Sequence, residues 1–157
     1  MANPEHLAIL RQGVEKWNQW REEYPHIEPD LSAALFSKAN LAEEANFSGA
    51  NLSEVDLSGA YLSEANLSNT DLSGADLSHA ILIDTNLRNA NLEEAELSGA
   101  DLSHTILIGT HLNDADLSYT NLSGANLNGA DLHKAYLIEA NLTGADLNRA
   151  NPSIRRL

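Results

Sequence analysis

The chain has 157 residues, a formal net charge of −14 and no cysteine. Without cysteine it forms no disulfide and no thiolate zinc site, and its acidity disfavours direct binding to the phosphates of DNA or RNA. No apolar run exceeds four residues and no secretory signal pattern opens the chain, so a membrane span is excluded and a soluble cytoplasmic protein is expected.

The first predicted element is an α-helix over residues 3–23. Asn3 suits the N-cap position and Pro4 the first helical position. Pro25 ends the helix because proline lacks the backbone N–H that a helix interior needs. Apolar residues recur at steps of three, four or seven and define one face: Leu7, Leu10, Val14, Trp17 and Tyr24.

This helix forms most of a predicted N-terminal cap, residues 1–28. We expect its apolar face to cover the lower end of the domain that follows, because the terminal unit of a stacked structure must shield an open face. The alternative is a helix that docks a partner protein, in which case the side that carries Trp20 makes the contact.

A repeat of five residues dominates the rest of the chain. From Phe47 to Leu147 every fifth residue is leucine, with Phe47 itself as the exception. A small residue, usually alanine or threonine, stands two positions before each of these centres, and asparagine or aspartate usually stands directly before it. A period of five would scatter the leucines around a helix and alternate them between the faces of a flat strand. A chain that turns a corner every five residues points every leucine at one axis, so the pattern predicts a solenoid over residues 29–151.

The tandem motif A-[N/D]-L-x-x, as in residues 65–69 and 125–129, resembles that of the pentapeptide-repeat protein family. The resemblance implies an all-β solenoid, a right-handed quadrilateral β-helix with four quintets per coil, in which the leucine and the small residue point inward. About six coils follow from the length, and at ~4.8 Å per coil the rod is about 29 Å tall. We expect a bacterial protein, with a cyanobacterial source as the narrower expectation.

Two irregularities flank the run of leucines. An earlier set of centres, also five apart, precedes it: Leu31, Phe36 and Leu41. Phe47 follows this set after six residues, which predicts a bulged corner near Glu43 and Glu44. Beyond the run, Pro152 cannot donate to a hydrogen-bond ladder, and the tail of residues 152–157 is too short to cover a coil. The uncovered remainder favours a homodimer through the C-terminal coil as one option.

Residues 20 apart share a column if each coil has 20 residues. One column directly before the centres is an amide ladder of the kind that stabilises stacked strands: Asn46, Asn66, Asn86, Ile106, Asn126 and Asp146. Another column is acidic: Asp56, Asp76, Glu96 and Asp116. At ~5 Å two carboxylates repel by about 0.8 kcal/mol in water, so we expect raised pKa values or gathered cations. The acidic column is either a solvated face or a contact for a hard cation or a basic partner.

Catalytic and metal-binding groups show no such convergence. No two histidines share a column in consecutive coils, which argues against zinc, and His104 above Asp84 is interpreted as a surface ion pair rather than an acid/base pair. Eight of the nine glycines stand two positions after a centre, where a turn needs permissive backbone. The expectation is therefore no enzyme activity, no cofactor and no metal site.

Apolar residues interrupt the polar surface in two quintets. Ile-Leu-Ile triplets place isoleucine on both sides of Leu82 and Leu107, where asparagine and serine usually stand, and a tyrosine lies directly below the first triplet. The residues predicted to contact a partner are Tyr61, Ile81, Ile83, Ile106 and Ile108. The alternative is that β-branched residues only favour extended backbone at these positions.

These features favour a non-enzymatic protein-interaction or regulatory scaffold, built on an acidic rod, that binds a protein but neither nucleic acid nor membrane. A subset of the resembled family suggests a second function, mimicry of DNA in the DNA site of a type II topoisomerase such as DNA gyrase. The charge supports mimicry, but ~29 Å spans fewer than about ten base pairs. A purely structural spacer without any partner is the third alternative.

Overall fold

The computed structural model describes residues 1–151 and Ser153. Within these residues no helix is both long and apolar enough to cross a membrane. The tail predicted over residues 152–157 lies, apart from Ser153, outside the described residues. The cap and the solenoid predicted from the sequence fall on described residues.

The chain begins with two helices, α1 (Pro4–Leu10) and α2 (Val14–Glu23), so the prediction of a single helix over residues 3–23 is wrong. Gly13 separates the two helices with a φ of 108°, a value that glycine adopts readily and other residues rarely do. The Asn3 side chain accepts a hydrogen bond from an N–H of the first helical turn at 2.8 Å. The predicted start of the helical segment is therefore correct.

Aromatic side chains pack α2 onto the first repeats. Trp17 is fully buried, its Nε1 donates to the Asn46 carbonyl at 2.8 Å, and its ring centroid lies 5.5 Å from that of Phe47. Trp20 is half-buried and packs against both Trp17 and His6, with ring centroids 5.3 and 5.0 Å away. The side of α2 that carries Trp20 is therefore partly covered by other residues of the two helices.

Two buried polar side chains also join the helices to the repeats. The Asp30 N–H donates to Nδ1 of His6 at 2.9 Å. Arg21 donates to the carbonyls of Ile27 and Ser48 at 2.8 and 2.7 Å. Burial lowers the pKa of the Arg21 guanidinium. A charged guanidinium is costly to bury without hydrogen bonds, and these two carbonyls accept the bonds that water would otherwise accept.

From residue 30 onwards each coil pairs with the next through isolated parallel bridges, and the bridging residue stands directly before a centre. The described part of the chain contains these single-residue bridges but no extended strand. One column contains every fourth bridging residue: Asp30, Asn51, Asp71, Asn91, His111, Asp131 and Asn151. The chain therefore returns to the same column six times between residues 30 and 151, with four quintets in each turn.

The spacing of the bridges changes once, near the lower end of the solenoid. Bridged residues are 21 apart below this point, as in Asp30 and Asn51, and 20 apart from Asn46 upward. The extra residue falls at Glu43 and Glu44, which both have positive φ, 68° and 59°. The predicted bulged corner is confirmed.

The leucines and the small residues fill the interior. Every centre from Leu52 to Leu132 is at most 2% exposed, and each leucine buried in this way contributes roughly 1.5 to 3 kcal/mol. Threonine replaces alanine at five inward positions, and each hydroxyl donates to a backbone carbonyl at 2.7 or 2.8 Å: Thr70, Thr85, Thr105, Thr110 and Thr120. Each of these buried hydroxyls therefore has a hydrogen-bond partner.

The two ends of the core differ. At the lower end the buried Trp17 packs on Phe47. At the upper end Leu147 is 41% exposed, and Leu137 and Leu142 are half-buried. In the last coil the leucines are thus half-buried or, at Leu147, exposed, whereas the centres from Leu52 to Leu132 are buried.

Candidate functional site

Where aspartate or asparagine stands directly before a centre, its side chain both shapes the surface and bonds the backbone. Oδ1 of Asp56 accepts hydrogen bonds from the Ser58 N–H at 3.0 Å and from its hydroxyl at 2.7 Å. Asn66 makes the same two bonds with Ser68, at 3.1 and 2.7 Å. Because one oxygen is enough, aspartate and asparagine are equivalent for the fold. They differ only in the second atom, a carboxylate oxygen or an amino group.

The other backbone N–H groups of a quintet are satisfied within the rod. In residues 56–60, three of the remaining four amides donate to neighbouring coils at 2.8 or 2.9 Å, and Ala60 donates to the Leu57 carbonyl at 3.0 Å. The residue two after the centre has positive φ in every repeat, whether glycine, as Gly59 at 63°, or not, as His79 at 57°. Such a quintet presents side chains to a partner rather than free backbone donors.

The four predicted acidic residues lie in one column, since consecutive members bridge: Asp56, Asp76, Glu96 and Asp116. The expected rise in pKa is wrong for Asp56, because hydrogen bonds from the Ser58 hydroxyl and N–H favour the ionised form and lower its pKa. Among residues 1–151 and Ser153, no group of three or more histidine, aspartate or glutamate side chains is placed to hold a metal ion. The three aspartates of the column each accept a hydrogen bond from the N–H two positions on, at 2.9 or 3.0 Å, whereas Glu96 does not.

Two hollows show what the rod offers to a small molecule. The void in the lower core, lined by Phe36, Phe47 and leucines, has no room for a water molecule. On the outside, an open groove beside Gly74 is lined by serines and four carboxylates: Glu54, Asp71, Glu93 and Glu94. The void cannot admit a substrate and the groove cannot exclude water from one.

The predicted apolar contact residues occupy two adjacent faces. Tyr61 bridges to Ile81 and lies directly below it. Ile106 belongs to the next column, between Asn86 and Asn126. Tyr61 is 54% and Ile106 is 37% exposed, whereas three residues are half-buried: Ile81, Ile83 and Ile108. Isoleucine has no acceptor, so the quintets of Ile81 and Ile106 give up the side-chain bond to the backbone.

Two histidines, His79 and His104, contact the coil above them, which the sequence interpretation missed. No ion pair joins His104 and Asp84, so that prediction is wrong. A Cβ at Gly124 would lie 2.6 Å from Nδ1 of His104, and one at Gly99 would lie 2.6 Å from Nδ1 of His79. Each imidazole therefore occupies the space above its own coil, which only glycine leaves free. The signal in the sequence is the glycine 20 residues after each of these two histidines.

The bridges assign each quintet of residues 46–150 to one of four faces. The first acidic face, whose quintets begin at residues 51, 71, 91, 111 and 131, carries six carboxylates and one lysine. The second acidic face, five residues further on, carries five carboxylates and no lysine or arginine, and the tyrosine face, which begins at Tyr61, carries three carboxylates and no lysine or arginine. The asparagine face, whose quintets begin at residues 46, 66, 86, 106, 126 and 146, carries one carboxylate, Asp146, and two arginines, Arg88 and Arg149.

The acidity of the repeats is thus confined to three sides of the rod. A charge count over the repeats as a whole hides this, because it averages the four faces.

Comparison with known proteins identifies the repeats. The sequence model of the family described as Pentapeptide repeats matches this chain in eight copies. The chain belongs to the pentapeptide repeat family. The matched stretches overlap and cover residues 30–69, 43–78, 70–107, 95–133 and 115–151. The resemblance drawn from the tandem motif is confirmed. No curated protein matches the chain.

Solved structures of other pentapeptide repeat proteins are similar to this chain. Rfr23 from the cyanobacterium Cyanothece 51142 is 30% identical over 87% of this chain and 95% of its own, with a TM-score of 0.54. HetL, involved in heterocyst differentiation regulation in the cyanobacterium Nostoc sp. strain PCC 7120, is 35% identical over 79% of this chain, with a TM-score of 0.43. This chain spans 62% of the length of HetL. Both of these similar proteins are cyanobacterial.

QnrB1, a plasmid-mediated fluoroquinolone resistance protein, is a more distant neighbour. It is 16% identical over 83% of both chains, with a TM-score of 0.42.

Proposed function

We propose that this pentapeptide repeat protein is a non-enzymatic interaction scaffold that binds another protein through the side of its rod. The observation that supports this most is the pair of apolar interruptions at Ile81 and Ile106. Each replaces a residue whose oxygen would bond the backbone, a bond of about 1 kcal/mol. Two quintets that forgo this bond for exposed apolar surface favour a binding role for that surface.

The proposed contact surface consists of Tyr61, Ile81, Ile83, Ile106 and Ile108. Tyr61 stacks below Ile81 on the tyrosine face, and Ile106 stands around the next corner and one coil higher. Carboxylates surround this surface on three faces of the rod. We therefore expect the partner to combine an apolar centre with a polar or basic rim, as protein interfaces commonly do.

The experiment is capture of partners from the native cell, followed by mass spectrometry. Replacing the four isoleucines by serine should abolish capture and leave the circular dichroism spectrum unchanged: Ile81, Ile83, Ile106 and Ile108. The matched control is Leu35→Ser, because Leu35 is also apolar, stands before a centre and is 82% exposed, but lies below the acidic column. An unchanged set of captured proteins in the fourfold variant would refute the contact surface.

Mimicry of DNA on a type II topoisomerase such as DNA gyrase is the second candidate. It is supported by the stacked carboxylates of the second acidic face, which repeat from Asp56 to Asp116 at the spacing of one coil, ~4.8 Å. The short rod weighs against it. A supercoiling assay with micromolar protein tests the idea, with and without a quinolone, and no effect on gyrase in either condition would rule it out.

The finer architecture belongs to the same proposal. We infer a right-handed quadrilateral β-helix of about six coils over residues 29–151, with residues 1–28 as its helical cap, in a cytoplasmic protein. Exposure of Leu147 supports a homodimer through the C-terminal coil. The purely structural spacer is the remaining alternative, and it predicts that the wild-type protein captures no partner.

A further inference from the structure

The asparagine face is the side of the rod on which two copies of this chain can approach with the least repulsion. Pairing the second acidic face with itself would set five carboxylates against five. Like charges at such a contact repel, and the rest of the surface adds to the repulsion in a chain with a net charge of −14. On the asparagine face Asp146 is the one carboxylate, and two arginines accompany it.

This face also has hydrogen-bond donors without partners in the described structure. Asn66 and Asn126 each use Oδ1 to accept the N–H two positions on, at 3.1 Å in both cases. Within residues 1–151 and Ser153 their Nδ2 amino groups have no partner. A carboxylate on a facing surface would pair with such a donor.

The residues of the asparagine face are self-complementary in one arrangement. Ile106 and Ile108 stand in the fourth of its six quintets. If two rods lie antiparallel with these isoleucines opposite each other, the second quintet of one copy faces the sixth quintet of the other. Asn66 then lies opposite Asp146, and two-fold symmetry produces this donor–acceptor pair twice.

We propose that two copies of this chain associate side by side and antiparallel through their asparagine faces, with Ile106 and Ile108 at the centre. Association is weak, because a face about 29 Å tall and roughly 10 Å wide offers ~300 Å² against the ~800 Å² per partner of a stable complex. The inference rests on the proposed function in one respect, since it names a second copy as the occupant of Ile106 and Ile108.

Sedimentation equilibrium from about 10 µM to about 1 mM tests this association. Wild-type protein should form a reversible dimer. Asn66→Asp should weaken the dimer at least tenfold, because it sets two pairs of carboxylates against each other across the two-fold axis. Asp146→Asn added to Asn66→Asp should restore the affinity to within about threefold of wild type, since the donor and the acceptor only exchange sides.

The matched control is Asn51→Asp, which adds the same charge on the first acidic face. Oδ1 of Asn51 accepts from Ser53 at 3.0 and 2.7 Å, the same pair of bonds that Asn66 makes. This control should leave the dimer constant within about twofold. Folding should survive in every variant, because aspartate makes the same bonds at position 56. Circular dichroism spectra and melting temperatures check that each variant is folded.

Four outcomes would overturn the inference: a monomer at the highest concentration, a dimer insensitive to Asn66→Asp, equal weakening by Asn51→Asp, or no restoration by Asp146→Asn. Insensitivity to Asn66→Asp would locate the contact elsewhere, for example at the upper end of the rod. The partner capture described above is independent of these variants. Capture without a dimer refutes only this inference, and a dimer without capture refutes only the partner-binding scaffold.

Discussion

The second acidic face and the asparagine face have the same backbone but opposite surface chemistry. On both faces an aspartate or asparagine before a centre accepts the N–H two positions on, as Asp56 and Asn66 do. The atom left over is a carboxylate oxygen on one face and an amino group on the other. Oδ1 of each side chain therefore bonds the backbone, and the second group, a carboxylate oxygen or an NH2 group, determines the charge of the surface. The charge of a face can change while the fold is kept.

The largest expected effect should be the same on both faces, because they share one core. Leu77 lies behind the second acidic face and Leu87 behind the asparagine face, and both are 0% exposed. Leu77→Ala and Leu87→Ala should each lower the free energy of unfolding by about 2 to 5 kcal/mol. Urea denaturation measures this, with Leu147→Ala, at a position 41% exposed, as the milder control. A loss at Leu77 or Leu87 no larger than that of Leu147→Ala would contradict a core shared by both faces.

Two corner glycines, one on each face, should differ by a smaller amount. Gly99 on the second acidic face lies above His79, whereas nothing lies within 4 Å of a Cβ at Gly129 on the asparagine face. Both have positive φ, 69° and 68°. Gly129→Ala should therefore cost about 1 kcal/mol for backbone strain alone. Gly99→Ala should cost about 0.5 to 1.5 kcal/mol more, because the exposed His79 imidazole must leave its rotamer to make room for the methyl group.

The collision has its own control. His79→Ala removes the imidazole, so Gly99→Ala in that background should cost no more than Gly129→Ala. Thermal melting of the four variants measures this. Equal losses for Gly99→Ala and Gly129→Ala in the wild-type background would show that the stack of histidine below glycine does not constrain the fold.

The smallest expected effect is a change of stability with pH that depends on Asp56 of the second acidic face. Hydrogen bonds from Ser58 lower the pKa of Asp56 in the folded protein. A carboxylate whose folded pKa lies below its unfolded value of about 3.9 stabilises the fold above that value, and the contribution is lost as the pH falls through the folded pKa. Asp56→Asn keeps the bond to the backbone and removes the titration.

The melting temperature of wild type relative to Asp56→Asn should therefore fall as the pH is lowered from about 6 to about 2. A relative melting temperature that rises on acidification would mean that repulsion within the acidic column dominates. The column would then raise the pKa of Asp56, as the sequence alone suggested.

The repeat period was sufficient to predict the columns, the inward leucines and the bulged corner, because each follows from counting in fives and twenties. Glycines at corners were predictable for the same reason: eight of them adopt positive φ two positions after a centre. Counting cannot show which atom bonds which. The preference for asparagine or aspartate before a leucine was visible in the sequence, but the bond from Oδ1 to the backbone required coordinates.

Other errors have local physical causes. The helical pattern of residues 3–23 continues through Gly13, and only its φ of 108° reveals the break. Repulsion between stacked carboxylates suggested raised pKa values, but hydrogen bonds from the Ser58 hydroxyl and N–H lower the pKa of Asp56. An ion pair was predicted between His104 and Asp84, which lies one coil below it. The His104 imidazole instead lies next to Gly124, one coil above, where a Cβ would otherwise stand.

The assignment of every residue to a face depends on the 20-residue register, and the absence of cysteine from the chain makes that register directly measurable. Asn66→Cys with Asn86→Cys places two thiols in one column, where Cα atoms ~4.8 Å apart fall within the range that a disulfide needs. Asn66→Cys with Asn91→Cys places them 25 residues apart on different faces. Mild oxidation of monomeric protein should form an intramolecular disulfide, measured by mass spectrometry and loss of free thiol, in the first variant only. A disulfide in the 25-residue pair, with free thiols in the 20-residue pair, would contradict the four faces.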